Sequence, residues 1–133
     1  MSVIVAKRRH SEVQFLENAR ALEIYTLQKT IKMPKRWNHF KMLIERCVIN
    51  CYTNCKLGNS IFLKDNESAE ERKKYFEKAL QNLYVLTSQL DVAKELTLFN
   101  NISEKQYAHW LGLIATEINE LKYIEKADNE RVK

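Results

Sequence analysis

At 133 residues, with 45% hydrophobic and 29% charged side chains, the chain suits a single globular domain (residues 1–133) with one moderate core. Two glycines and one proline exclude an all-β architecture, which needs a larger supply of turn formers, and leave room only for a few long elements. The net charge of +5 is unevenly placed. Residues 1–64 hold 12 Lys and Arg against 4 Asp and Glu, whereas residues 65–133 hold 10 against 13. That polarity favours a polyanionic partner for the first half and permits head-to-tail contact between copies.

Four helices follow from start signals and apolar spacing, over about residues 11–31, 34–63, 68–99 and 103–126. Lys7, Arg8 and Arg9 precede the first as a short basic arm. Ser11-Glu12-Val13-Gln14 reads as a capping box opening that helix, whose broad apolar face is Phe15, Leu16, Ala19, Leu22, Ile24, Leu27 and Ile31. Pro34 ends it, because proline lacks the amide of an interior turn, and the same residue suits the first turn of the second helix. The second helix carries Trp37, Phe40, Leu43, Ile44, Cys47, Val48, Cys51 and Tyr52, continues to Ile61-Phe62-Leu63, and admits a kink near Gly58. A polar connection, Lys64 to Glu67, leads to a second box, Ser68-Ala69-Glu70-Glu71. The third helix repeats apolar residues at three and four: Phe76, Ala79, Leu83, Leu86, Leu90, Ala93. After a turn at Asn100-Asn101, Ser103-Glu104-Lys105-Gln106 opens the fourth helix with Tyr107, Leu111, Ile114, Ile118 and Leu121. Gly112 inside it suggests a close helix approach, and the tail after Lys126 is expected to fray. Short connections between amphipathic helices imply an all-α, up-down-up-down antiparallel four-helix bundle.

No apolar run reaches the length of a membrane-spanning helix. The apolar start, Met1 to Ala6, stands before the charges rather than after them, unlike a signal peptide, so a cytoplasmic protein without membrane attachment is expected. The odd cysteine count agrees.

Catalytic signatures are missing: no Gly-rich phosphate loop, and no His-Glu-x-x-His. The residues three before His10, His39 and His109 are Lys7, Arg36 and Gln106, which disfavours a di-metal carboxylate bundle. Cys47, Cys51 and Cys55 share one helical stripe, where two thiolates with His39 or His109 could hold a metal. The stripe is contiguous with Leu43, so the cysteines read instead as small core hydrophobes, with no metal and no cofactor expected. The basic residues are the stronger lead. Lys7, Arg8, Arg9, Lys29, Lys32, Lys35, Arg36, Lys41, Arg46 and Lys56 could form one positive surface across the first two helices and neutralise nucleic-acid phosphates. Trp37 could stack on a base, but is read as stapling the inter-helix corner. Arg72-Lys73-Lys74, balanced by Glu70, Glu71 and Glu77, reads as an ordinary solvated face.

The corner Leu27 to Arg36, with Ile31-Lys32-Met33-Pro34-Lys35-Arg36, resembles that of a bacterial four-helix-bundle family. So do Ala79-Leu80 through Leu90 to Leu96, and Ile102 to Tyr107. The family includes the protein encoded in intervening sequences of large-subunit ribosomal RNA genes and the accessory variability determinant of diversity-generating retroelements. The second branch implies a basic homopentamer that binds a reverse transcriptase and its template RNA, supports mutagenic complementary-DNA synthesis, and is not itself an enzyme. The first implies a stand-alone structural or interaction module. The basic pI of about 9.1 favours the retroelement branch, with RNA, or DNA, as the bound nucleic acid.

Overall fold

The computed structural model describes residues 3–99 and 101–131, with side chains from residue 14 onward. The described residues form α1 (Val3–Thr30), a 3-10 turn (Lys35–Trp37), α2 (Asn38–Asn59), α3 (Asn66–Glu95) and α4 (Glu104–Arg131), with no strand among them. The all-α reading holds. No helix is long and apolar enough to cross a membrane among the described residues.

Each helix packs on two others: α2 on α1 and α3, and α4 on α1 and α3, while the diagonal pairs keep their backbones apart. Contacts between α1 and α4 run in opposite senses. Asn18 meets Leu113 and Glu117, whereas Thr26 meets Trp110 and Tyr25 meets Gln106. Along α3 and α4 the same holds, from Arg72 on Asp128 to Lys94 on Glu104.

The core is filled at a regular three-and-four spacing on every helix. On α3 the buried positions are the capping Ser68 and then Ala69, Arg72, Phe76, Ala79, Leu83, Leu86, Leu90 and Ala93. On α4 they are Trp110, Ile114, Glu117, Leu121, Ile124 and Asp128. The heptad seam lets side chains interdigitate at a shallow crossing, and each fully buried leucine contributes ~1.5–3 kcal/mol. Trp110 sits at the centre of one end, with its indole N–H donated to Thr26 Oγ1 at 2.9 Å and its ring edge-on to Phe99 at 5.2 Å.

Several boundaries differ from the sequence reading, each for a local reason. The first helix begins at Val3, so Ser11 to Gln14 lies within it rather than capping it, and Lys7, Arg8 and Arg9 belong to helical backbone rather than to an arm. Pro34 is extended (φ −59°, ψ 142°) and stands before the 3-10 turn, and the second helix proper starts four residues later, at Asn38. That helix runs unbroken through Gly58 and stops at Asn59, and Gly58 packs against Phe76, where an added Cβ would fall 2.5 Å from the ring. Phe62 lies beyond it and is 80% exposed. The third helix starts three residues before the expected box: Asp65 is the cap and Ser68 is its reciprocal partner, with Ser68 N–H donating to Asp65 Oδ1 at 2.8 Å and Asp65 N–H donating to Ser68 Oγ at 3.0 Å. It ends in a Schellman turn in which Leu98 N–H reaches Ala93 O and Thr97 N–H reaches Lys94 O, with Thr97 at φ 56°. The Ser103–Gln106 box forms as expected, with both reciprocal bonds near 3 Å. Gly112 is exposed with open space around it, so it marks no close approach, and α4 continues past Lys126 to Arg131.

Candidate nucleic-acid interface

The α1–α2 corner is fixed from inside. Met33 N–H closes on Thr30 O at 3.0 Å, Trp37 N–H closes on Pro34 O at 2.9 Å, and the buried Thr30 hydroxyl donates to Glu45 Oε2 at 3.2 Å. Met33 points into the core and Trp37 is packed partly against it, which is the staple role expected for the tryptophan. Lys32, Lys35 and Arg36 are left exposed, Lys29 is half-buried, and Ile31, expected on the apolar face, is 69% exposed beside them. Two cations lie over rings: Lys29 Nζ at 4.8 Å from the Tyr25 centroid, and Arg36 at 5.7 Å from that of Trp37. Such contacts stabilise the cation by ~0.5–1 kcal/mol at exposed sites and hold it in place without neutralising it.

None of Lys29, Lys32, Lys35, Arg36, Lys41, Arg46 or Lys56 enters a salt bridge among the described residues, whose ion pairs involve Arg72, Lys73 and Lys94. The ten-residue surface is nevertheless not one patch. Lys29, Lys32, Lys35 and Arg36 gather at the corner. Lys41 and Arg46 are five residues apart on α2, ~140° around the helix at 3.6 residues per turn, so they face different sides. Lys56 lies fifteen residues beyond Lys41, ~22 Å along the axis, beside the Tyr52 ring. Lys7 stands ~33 Å along α1 from Lys29, and the side chains of Lys7, Arg8 and Arg9 lie outside the described residues.

The cysteine stripe is buried, as its reading as core requires, and is continuous with Ile44 rather than with the partly exposed Leu43. It is not purely apolar, however. Cys55 Sγ donates to Glu117 Oε2 at 3.5 Å, and Asn18 Nδ2 donates to Glu117 Oε1 at 3.2 Å and to Leu113 O at 2.9 Å. Burial pushes the Glu117 carboxyl up to about 8, against a smaller downward pull from Asn18 and Cys55. Hydrogen bonding with Cys51, and then burial, raises the Cys55 thiol far above its ordinary range; burial raises Cys47. These thiols are therefore protonated at neutral pH and poor nucleophiles. His39 and His109 are exposed, with His109 edge-on to Tyr25 at 4.9 Å, so neither joins the stripe.

Arg72 overturns its reading as part of a solvated face: it is 3% exposed. Its Nε donates to Asp128 Oδ2 at 2.8 Å, and its Nη1 donates to Ile61 O at 3.1 Å. Lys73 does pair with Glu77 as expected, at 3.9 Å, and also with Glu125. Sequence reasoning missed Arg72, Glu117 and Asp128, although a signal was present. Arg72 falls in register one step before Phe76 on α3 and Asp128 one heptad after Leu121 on α4, while Glu117 sits three residues after Ile114 and four before Leu121, inside the α4 seam.

No family model matches the chain, and no curated protein or solved structure matches it.

Proposed function

We propose that the four helices form an up-down-up-down antiparallel bundle that serves as a non-catalytic, nucleic-acid-binding accessory subunit of a retroelement reverse transcriptase, of the diversity-generating type. The observation that carries the reading is the corner cluster. Lys29, Lys32, Lys35 and Arg36 crowd one turn of chain with no acid in salt-bridge reach among the described residues. Repulsion among clustered cations is unfavourable in isolation, and a phosphate backbone relieves it by releasing condensed counterions. Template RNA is the polyanion that the family resemblance supplies.

Self-association, with a pentamer as the resemblance implies, has its own support. Met42 and Ile49 on α2 and Val85, Val92 and Leu96 on α3 are exposed apolar residues. Counting in opposite directions from the Gly58–Phe76 contact sets Ile49 level with Val85 and Met42 level with Val92 along the two helices. The stand-alone alternative, a structural or interaction module of the intervening-sequence type, would use these exposed apolar residues alone.

The test is the triple variant Lys32→Glu, Lys35→Glu, Arg36→Glu. RNA affinity measured across a salt series should collapse, and the slope of log K against log salt should fall by about 2–3, near 0.7–0.9 for each phosphate no longer neutralised. Far-UV helicity and the light-scattering mass should stay at wild-type values. A folded triple variant that binds RNA with undiminished affinity and salt slope removes the corner from the interface.

A further inference from the structure

In the middle of the bundle, three helices deliver polar side chains to one point. Asn18 comes from α1, Cys51 and Cys55 from successive turns of α2, and Glu117 from α4, reaching across the diagonal on which the helix backbones do not touch. The two thiols and the carboxylate are buried, with their donor atoms all within 4.8 Å of one another. A carboxyl with a thiol and an amide as its partners is a costly occupant of a core position that aliphatic residues fill one heptad step away, at Ile114 and Leu121. No cationic side chain pairs with Glu117 among the described residues.

We propose that Cys51, Cys55 and Glu117 form a binding site for a thiophilic divalent cation, zinc in the first instance, independent of the nucleic-acid surface. The donor set, two sulfurs and one carboxylate oxygen, is of the borderline-soft kind that zinc selects over calcium or magnesium. The geometry agrees. A tetrahedral ion with Zn–S of ~2.3 Å and Zn–O of ~2.0 Å needs sulfur and oxygen ~3.5 Å apart, and Cys55 Sγ stands 3.5 Å from Glu117 Oε2. Asn18 takes the role of a partner behind the ligands. Its Nδ2 holds the other carboxylate oxygen, Oε1, and is itself fixed on Leu113 O, which orients Oε2 toward the sulfurs. Three protein ligands leave a fourth position for water. Binding expels two thiol protons and the carboxyl proton, so it weakens steeply as pH falls. The site carries one formal negative charge once filled, and the Asn18 amide donates to it. Cys47, one turn earlier, is buried but is not one of the converging donors, and supplies the control.

The full-length reduced protein is unfolded and refolded with Co(II), since the closed core admits an ion most readily during folding. The expected result is one Co(II) per chain, with a thiolate-to-cobalt charge-transfer band and tetrahedral visible bands, displaced by one equivalent of zinc. Cys51→Ala and Cys55→Ala should abolish the band, Asn18→Ala should weaken affinity by ~10–100-fold, and Cys47→Ala should leave it intact. Refolded, helical wild-type protein without the band overturns the site, as does a band that survives in Cys51→Ala/Cys55→Ala. Should the cysteine variants not refold, zinc must raise the Tm of the wild type and not that of Glu117→Gln; equal shifts in both refute the carboxylate's part in the site.

Discussion

Arg72 and Asp128 invite a double-mutant cycle, because the structure makes the outcome of each arm calculable. The guanidinium lies against two carboxylate oxygens, with Nε to Oδ2 at 2.8 Å and Nη2 to Oδ1 at 3.4 Å, and against the backbone carbonyls of Ile61 and Gly58 at 3.1 and 3.5 Å. Both side chains are almost wholly enclosed. Removing one partner of a buried pair strands the other charge and costs ~3–5 kcal/mol. Asp128→Leu should therefore lose that much. Arg72→Leu should lose at least as much, since it also takes the donor from the Ile61 carbonyl, at ~1–3 kcal/mol for an unsatisfied buried group, while Gly58 O keeps the Ile61 N–H at 3.2 Å. The double variant strands no charge and should lose only about 1–3 kcal/mol, less than either single. Urea unfolding at pH 7 followed by far-UV circular dichroism measures all four corners. A domain of this size has ~5–15 kcal/mol in total, so the singles should unfold at visibly lower urea. Additive single effects, or a loss under about 1 kcal/mol for Asp128→Leu, would refute the view of this pair as a latch across the ends of α2, α3 and α4.

Two other changes are predicted from the geometry. Glu117 has its carboxyl raised from 4.5 to about 8, so its contribution to metal-free protein is full below pH 4.5 and is lost as pH rises through 8. Relative to Glu117→Gln, whose amide imitates the protonated acid, wild-type stability should fall by about 4 kcal/mol between pH 5 and 8; parallel stability–pH curves would contradict the assignment. The two glycines should respond in opposite directions in thermal melts. Gly112→Ala, in open space on α4, should stabilise by ~0.5–1 kcal/mol, and Gly58→Ala, whose Cβ meets Phe76, should destabilise by ~1–3 kcal/mol; equal effects would deny the close packing at Gly58.

Helix number and most of the core could be read from the chain because apolar spacing and the Ser103 box are local signals. The ends were less legible because they are settled by competition among neighbours. Asp65 displaces Ser68 as cap because its carboxylate accepts the Ser68 N–H, and the Ser68 hydroxyl is then free to return the bond. Ser11 stays inside α1 since nothing in the preceding residues stops a helix. Thr97 takes a left-handed conformation that its side chain disfavours, and no composition rule points to it. The polar core was hidden for another reason. Arg72, Glu117 and Asp128 are charged residues that composition assigns to the surface, and only helix register reveals them inside. At the corner, Met33 and Trp37 turned inward and left the nearby cations outside, the tryptophan as its staple reading expected, whereas Arg46 and Lys56 depended on helix rotation that charge counting ignores.

The sealed stripe on α2 has a practical corollary. Cys47, Cys51 and Cys55 are enclosed, and the first and last have thiols held in their unreactive form, so alkylating reagents reach them only when the molecule opens. The rate at which they are modified is thus a built-in clock for transient unfolding. A single cysteine placed on the outer surface can carry a fluorophore while the native ones stay silent, with no need to engineer them away.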